Sequence, residues 1–197
     1  MTDVETLCAE ACRIAHSLYA RGKTSGSSAN LSFRIGDCVY VTAGGCCFET
    51  LGPEDFSRLD LKGGLLAGPK PSKEWPLHLS VYAARPQTGA VIHVHSTYSV
   101  LWSCVPGLAE EDCVPPNTPY LRMKVGKVNL VNYAEPGSRE LFDAFAAQAS
   151  RADAWLLRRH GPVVPGETLA QAYFGLEELE ESCRIAWELR NAGIILE

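Results

Sequence analysis

The sequence has no cluster of lysine or arginine residues, and its overall charge is acidic. Its 18 basic and 23 acidic side chains give a formal net charge of −5 at pH 7. Proteins that bind nucleic acids or anionic membrane surfaces usually carry a basic patch. The composition therefore predicts neither a nucleic-acid partner nor a membrane-surface partner.

Long hydrophobic runs are also absent, and the longest apolar segments have the length of a β-strand. A membrane-spanning helix needs about 20 consecutive apolar residues, so no span is predicted. The first residues, Met1 to Glu5, are acidic instead of basic and then apolar, which is not the pattern of a signal peptide. We therefore expect a cytoplasmic protein.

The eight cysteines include no C-x-x-C motif. A short secreted disulfide scaffold would carry a much higher density of cysteine. We interpret the cysteines as reduced thiols, most of them acting as small buried hydrophobic residues. The adjacent pair Cys46 and Cys47 receives no role from its sequence context.

Hydrophobic periodicity predicts an α/β protein that folds as one domain over residues 1–197, of which 46% are hydrophobic. Helices are predicted over residues 4–21, 72–85, 96–105, from Ser138 through Ala149, and over 168–191, with Ser72 as the N-cap of the second. A short helix or turn is expected at Pro53. Extended segments are predicted over residues 31–35, 38–42, 91–94, 120–126, 128–133 and 154–157.

The segment VIHVHST at residues 91–97 suggests a metal site. Residues two apart in a strand face the same way, so His93 and His95 are predicted to lie on one side of a buried strand. Two such imidazoles can bind one cation if further ligands approach, and Glu74 and His160 are candidates. The alternative is a pair of core histidines that donate hydrogen bonds to backbone carbonyls, and H-x-H alone does not separate the two.

Three further segments are rich in small residues and could hold an anion. They are the loop around Ser28, Ala29 and Asn30, the turn with Gly44 and Gly45, and the segment with Ser72 and Lys73. Their backbone N–H groups and hydroxyls are unhindered donors. One such loop would usually be only a loop, but three of them favour a binding site.

Taken in order, these motifs resemble the class II aldolase/adducin-head family. The resemblance rests on SSANLS at 27–32, VTAGG at 41–45, PSKE at 71–74, VIHVHST at 91–97 and LLRRHGP at 156–162. It implies a three-layer α/β/α sandwich with a mixed, mostly antiparallel sheet, and a homotetramer with active sites between subunits. Within the family, PSKE and the segment 118–128 are most similar to the 3-oxo-tetronate 4-phosphate decarboxylases.

The resemblance also implies roles for individual residues. His93, His95 and His160 would bind one Zn²⁺, with Mn²⁺ or Co²⁺ as alternatives, and Glu74 would be a further ligand or an acid/base. Tyr120 would donate a proton in the site of a neighbouring subunit. The phosphate of a small sugar-acid substrate would contact Ser28, Ala29, Asn30, Gly44, Gly45 and Ser72.

Two departures from the family pattern affect the phosphate loops. Ala29 stands where the family usually has glycine, so a positive φ there would be strained. Gly44 offers only a backbone N–H where a threonine is common. Lys73 stands where aldolases tend to have serine, and its cation could offset the loss or bind a substrate carboxylate.

The resemblance implies decarboxylation of 3-oxo-tetronate 4-phosphate to dihydroxyacetone phosphate and carbon dioxide through a metal-stabilised enediolate. A sugar-phosphate aldolase of the fuculose-phosphate type or a pentulose-phosphate 4-epimerase is the alternative. A metal-free scaffolding module of the adducin type is a third hypothesis. It predicts lost ligands, whereas Glu74, His93, His95 and His160 are all present.

Overall fold

One eight-stranded sheet with helices on both faces forms the body of the protein. The computed structural model describes residues 3–194. The strands are β1 Asn30–Ile35, β2 Cys38–Thr42, β3 Phe56–Asp60, β4 Leu65–Ala67, β5 Ala90–His93, β6 Val128–Val131, β7 Ala154–Leu157 and β8 Gly161–Gly166. The helices are α1 Asp3–Ala20, α2 Trp75–Ala84, α3 Thr97–Ser103, α4 Pro119–Lys124, α5 Arg139–Ala146 and α6 Leu169–Asn191, and a 3₁₀ turn covers Pro53–Asp55.

The sheet is mixed and mostly antiparallel, as predicted. Its strand order is β4-β3-β2-β1-β5-β8-β7-β6. The pair β6 and β7 is parallel and is connected through α5, while the other pairings are antiparallel. Strand β5, which ends at His93, therefore lies near the middle of the sheet between β1 and β8.

Two hydrophobic cores cover the opposite faces of the sheet and confirm the predicted three layers. Alternating residues of β5 show the division, because Ile92 packs in the core with α1, α3 and α6, whereas Val91 packs in the core with α2 and α5. This alternation follows from the two-residue period of a strand. Residues that share a face with Val91 therefore point toward α2.

The structure corrects several sequence predictions. The segment 120–126 was predicted as extended, but its residues 120–124 belong to α4, because Pro119 occupies an early helical position after the extended Thr118. Glu74, not Ser72, is the N-cap of α2, although the Ser72 hydroxyl accepts a hydrogen bond from the Glu74 N–H at 3.3 Å. Strands β3, β4 and β8 were not predicted.

The cysteines agree only in part with their predicted role. All eight are free in the structure, and Cys8, Cys12, Cys113 and Cys183 are buried as predicted. Cys104 is exposed, and Cys46 and Cys47 are half-buried in the loop after β2. Within residues 3–194, no helix has the length and apolar character needed to cross a bilayer.

A buried carboxylate anchors the short helix that follows the H-x-H motif. Glu180 of α6 is 2% exposed and accepts hydrogen bonds from the Tyr98 and Ser99 N–H groups at 3.1 and 2.8 Å and from the Ser99 hydroxyl at 2.7 Å. These N–H groups lie in the first turn of α3 and have no partner within the helix. Glu180 therefore fixes the chain just after His95.

Replacing Glu180 with glutamine is expected to lower the free energy of unfolding by about 2 kcal/mol or more, because an amide nitrogen would face these donors in a buried place. Urea denaturation measures the effect. The neighbouring Glu181→Gln is the control, since Glu181 forms only an exposed ion pair with Arg184, and we expect a loss of less than about 1 kcal/mol. Equal losses in the two variants would contradict the anchoring role.

Candidate metal centre

Four side chains from separate parts of the fold converge at one end of the central strands. Glu74 precedes α2, His93 ends β5, His95 lies two residues further, and His160 lies in the turn between β7 and β8. Their potential ligand atoms all lie within 4.8 Å of one another. His93 and His95 were predicted to point to one side of the strand, and their Nε2 atoms do meet at one place, although regular strand pairing ends at His93.

The separations between these atoms suit a small tetrahedral cation. His93 Nε2 lies 3.2 Å from His95 Nε2 and 3.4 Å from Glu74 Oε2, and His160 Nε2 lies 3.3 Å from Glu74 Oε1. Metal–ligand bonds of about 2.1 Å in a tetrahedron place ligands about 3.4 Å apart. The donor set therefore fits a divalent cation of the size of Zn²⁺.

Unpartnered polar atoms at the same place support this fit. Glu74 Oε1 and both ring nitrogens of His160 are buried without a hydrogen-bond partner. Leaving a buried polar atom unpaired costs about 1–3 kcal/mol. His93 differs in that its Nδ1 lies 2.8 Å from the Pro162 carbonyl, which fixes the proton on Nδ1 and leaves Nε2 as the ligand atom.

The electrostatic environment keeps these groups in the protonation states that metal binding needs. Burial, with a further contribution from His93, lowers the pKa of His95 to about 4 and that of His160 to about 3. For Glu74, burial acts to raise the pKa, but the neighbouring His93 and His160 and the hydrogen bond from the Asn30 amide outweigh it and lower the pKa to about 2. At neutral pH, His95 and His160 are neutral and Glu74 is a carboxylate.

The backbone around His160 is tightly constrained. Arg159 has a φ of 57°, which a side chain other than glycine rarely adopts, and Gly161 follows with a φ of 154°. A Cβ on Gly161 would lie 2.1 Å from the Val94 carbonyl oxygen. The close approach of Gly161 to the segment between His93 and His95 therefore keeps His160 next to these two histidines.

Replacing Gly161 with alanine is expected to lower the free energy of unfolding by about 3 kcal/mol and to weaken metal binding, because one of the two segments must move. Urea denaturation and metal analysis measure the two effects. Gly36→Ala is a matched control, since Gly36 also has a positive φ but has no atom within 4 Å of the added Cβ. Full metal content in Gly161→Ala would contradict the constraint.

Next to the four side chains lies a cleft of about 510 Å³. All three small-residue segments line it, together with Glu74, His95 and His160. The predicted substrate residues that border the cleft are Ser28, Ala29, Asn30, Gly44, Gly45, Ser72 and Lys73. The fold thus brings together the loops that the sequence suggested as anion sites.

The comparison with known families identifies this arrangement. The family described as Class II Aldolase and Adducin N-terminal domain matches residues 9–187. The chain belongs to this class II aldolase/adducin family. This confirms the resemblance inferred from the ordered motifs.

Relatives within the class II aldolase/adducin family cover nearly the whole chain. The 3-oxo-tetronate 4-phosphate decarboxylase of Pectobacterium atrosepticum is 42% identical over 187 residues, 94% of this chain and 86% of the relative. The L-fuculose phosphate aldolase of Methanococcus vannielii is 33% identical over 176 residues, 89% of this chain and 93% of the relative. The crystal structure of YgbL from Klebsiella pneumoniae, described as an aldolase, epimerase or decarboxylase, has a TM-score of 0.94 and 38% identity, covering 98% of this chain and 94% of that one.

The two loop residues that differ from the usual family pattern, Ala29 and Gly44, do not strain the backbone. Among the described residues other than glycine, only Asp112 and Arg159 have a positive φ, so Ala29 adopts an ordinary conformation. Gly45 has a φ of 82° and supplies the glycine that its turn needs.

Sequence reasoning missed two parts of the site. Lys70 also lines the cleft. It lies directly before the predicted segment at residues 71–73, and this adjacency in the sequence could have indicated that it belongs to the site. Pro136 also lines the cleft, although it lies 63 residues after Lys73 in the sequence. Its carbonyl accepts a hydrogen bond from Lys73 Nζ at 3.1 Å. A contact between residues so far apart in the sequence has no local signal.

Tyr120 does not line the cleft of its own chain. It lies on α4 and is 54% exposed. Its predicted role in the site of a neighbouring subunit stays a prediction.

Proposed function

We propose that the protein is a metal-dependent lyase that decarboxylates 3-oxo-tetronate 4-phosphate to dihydroxyacetone phosphate and carbon dioxide. The strongest support for this proposal is that the four-residue metal centre opens onto a cleft lined by two lysines and three loops of small residues. The identity of 42% to a decarboxylase of this name supports the choice of substrate. Such a substrate carries a carboxylate and a phosphate, which matches the two cations.

We assign the metal ligands to His93, His95, His160 and Glu74 and favour Zn²⁺, although Mn²⁺ or Co²⁺ would also accept these donors. A bound divalent cation supplies positive charge that stabilises the oxygen anion formed when the carbon–carbon bond to the carboxylate breaks. The three imidazoles leave room for substrate, which is typical of catalytic sites.

The remaining chemistry falls to side chains of the cleft. When the bond between C1 and C2 breaks, its electron pair moves into the C3 carbonyl, and C2 then takes up a proton. Decarboxylation consumes one proton. Glu74 is a carboxylate and its Oε1 is unpartnered, so it can take this proton from solvent and deliver it to C2. Tyr120 of a neighbouring subunit is the second candidate donor.

Substrate binding is assigned to the loops. The Gly45 N–H, the hydroxyls of Ser28 and Ser72, the Ala29 backbone and the Asn30 amide would receive the phosphate. Gly44 lines the same part of the cleft, but its N–H donates to the Lys70 carbonyl at 3.0 Å, so Gly44 would leave space for the phosphate and not bind it through its N–H. Lys73 influences the pKa of both His95 and His160, so its charge lies near the metal centre. We therefore assign Lys73 to the substrate carboxylate and Lys70 to the phosphate.

The assembly and location are part of the proposal. A homotetramer would place the exposed Tyr120 near the site of another subunit. The free state of all eight cysteines supports a cytoplasmic location, where thiols stay reduced.

Aldol cleavage of a sugar phosphate is the second candidate. The 33% identity to an L-fuculose phosphate aldolase favours it, and both reactions place negative charge on the same carbonyl oxygen. The two differ in the leaving fragment, which is an aldehyde in one case and carbon dioxide in the other.

Measuring carbon dioxide release from the 3-oxo-tetronate 4-phosphates separates these reactions. We expect metal-loaded enzyme to release carbon dioxide above the spontaneous rate and a chelator to abolish the excess. Dihydroxyacetone phosphate is unsuitable as the readout, because cleavage of a ketose 1-phosphate also produces it. Metal-loaded protein that releases no carbon dioxide but cleaves a ketose phosphate would overturn the decarboxylase in favour of the aldolase.

A further inference from the structure

A chain of four hydrogen bonds runs through the protein interior to Glu74. The Tyr82 hydroxyl lies 2.8 Å from Ser32 Oγ, which lies 2.7 Å from His78 Nδ1. His78 Nε2 lies 2.6 Å from Asn30 Oδ1, and Asn30 Nδ2 donates to Glu74 Oε2 at 3.2 Å. All five residues are at most 3% exposed. We call this set the Glu74 relay.

The relay arises from two regular spacings. Glu74, His78 and Tyr82 are four residues apart, so they lie on one face of α2 and the residue before it. Asn30 and Ser32 are two apart on β1 and point to the same face of the sheet. The strand residues fit between the helix residues, so the five polar side chains alternate between the two elements.

The direction of every hydrogen bond in the relay follows from Glu74. A carboxylate can only accept, so the Asn30 amide must turn its nitrogen toward Glu74 and its oxygen toward His78. The opposite amide orientation would place two oxygens 3.2 Å apart at Glu74. His78 must then donate from Nε2, accept at Nδ1 from the Ser32 hydroxyl, and Ser32 in turn accepts from Tyr82.

His78 is buried as a neutral imidazole, which agrees with this direction. Burial lowers its pKa to about 3. The groups that face it are Asn30 and Ser32 from β1, with His93 and Glu74 as the charged or titratable neighbours that influence it. A neutral imidazole has one N–H, and the relay uses it for Asn30.

We propose that His78 is a positioning residue for Glu74. Through the Asn30 amide it holds Glu74 Oε2 in place, so that Oε1 stays free to face the metal centre and the substrate. The Asn30 oxygen is thereby occupied, and only the second hydrogen of its amide nitrogen remains for a phosphate. The expected effect of His78 on turnover rests on the proposed function. The direction of the hydrogen bonds does not depend on the proposed function.

The tautomer of His78 tests the direction without any substitution. We expect ¹⁵N NMR of the metal-loaded wild-type protein to show a neutral His78 with its proton on Nε2 from about pH 5.5 to 8. A proton on Nδ1, or a charged imidazolium in this range, would overturn the relay. The outcome holds whether or not the enzyme releases carbon dioxide.

Two polar substitutions of His78 test the positioning role. In His78→Gln the amide nitrogen takes the place of Nε2 and can donate to Asn30, so we expect kcat within about fivefold of wild type. In His78→Asn the amide reaches only the position of Nδ1 and the Asn30 contact is lost. We expect kcat to fall about 10–100-fold with KM nearly unchanged, the size typical of residues that orient a metal site.

The controls separate positioning from stability and from failure of the proposed function. His16→Asn removes a histidine that contacts only the Leu51 carbonyl, at 3.0 Å, and should leave kcat unchanged. Equal kcat per folded molecule in His78→Gln and His78→Asn would show a merely structural role. If neither folds, the tautomer decides, and a wild-type enzyme without carbon dioxide release contradicts the proposed function instead of the relay.

Discussion

Replacing His93 with alanine is expected to remove the bound metal and to reduce turnover by at least about 100-fold. His93 is fully buried, and its Nε2 lies within 3.4 Å of both His95 Nε2 and Glu74 Oε2, so the substitution removes one of the four clustered ligands. Metal analysis of purified protein and the rate of carbon dioxide release measure the two effects.

The control for His93→Ala is His16→Ala, which removes a histidine remote from the cleft. We expect this control to keep its metal and its turnover. An active His93→Ala enzyme would contradict the metal centre as the catalytic site. About one metal ion per wild-type chain would exclude the metal-free scaffold.

Replacing Glu74 with glutamine is expected to lower kcat by about 10²–10⁴-fold, the range typical of a lost acid/base group. Glutamine preserves the shape of the side chain, and the three histidines remain as ligands, so the variant should still bind metal. The carboxylate that delivers a proton to C2 is lost. Steady-state kinetics on metal-loaded protein measure the effect.

The pair Glu74→Gln and Glu54→Gln forms a matched comparison, because Glu54 lies in the exposed 3₁₀ turn. We expect Glu54→Gln to keep wild-type kcat. A Glu74→Gln enzyme that keeps its metal and turns over within a few-fold of wild type would rule out Glu74 as the proton carrier.

The core of the fold was predictable where one element gave a strong local pattern. The apolar segment that ends in His93 and His95 predicted a buried strand with both imidazoles on one side, and the structure places their Nε2 atoms 3.2 Å apart. Helical and extended hydrophobic patterns occur along the same chain, in agreement with the α/β class. Glu74 and His160 were candidate ligands by residue type and position, and the family resemblance assigned both to one metal ion.

Other elements could not be predicted, for physical reasons. Strand β8 contains Pro162 and Pro165, which normally argue against a strand in the middle of a sheet. Helix α4 has six residues, too few for helical periodicity to show. The Glu74 relay depends on the position of β1 relative to α2, and its bonded residues lie 44 to 50 positions apart in the sequence.

Glu74 and the three histidines are expected to bind one catalytic metal ion. Anomalous diffraction from crystals of Zn²⁺-loaded protein tests it most directly. We predict a single strong peak per chain, about 2.0–2.1 Å from the Nε2 atoms of His93, His95 and His160 and next to Glu74. Zinc-loaded crystals without a peak at this position, or with the peak elsewhere on the chain, would contradict the assignment of Glu74 and the three histidines as the metal site.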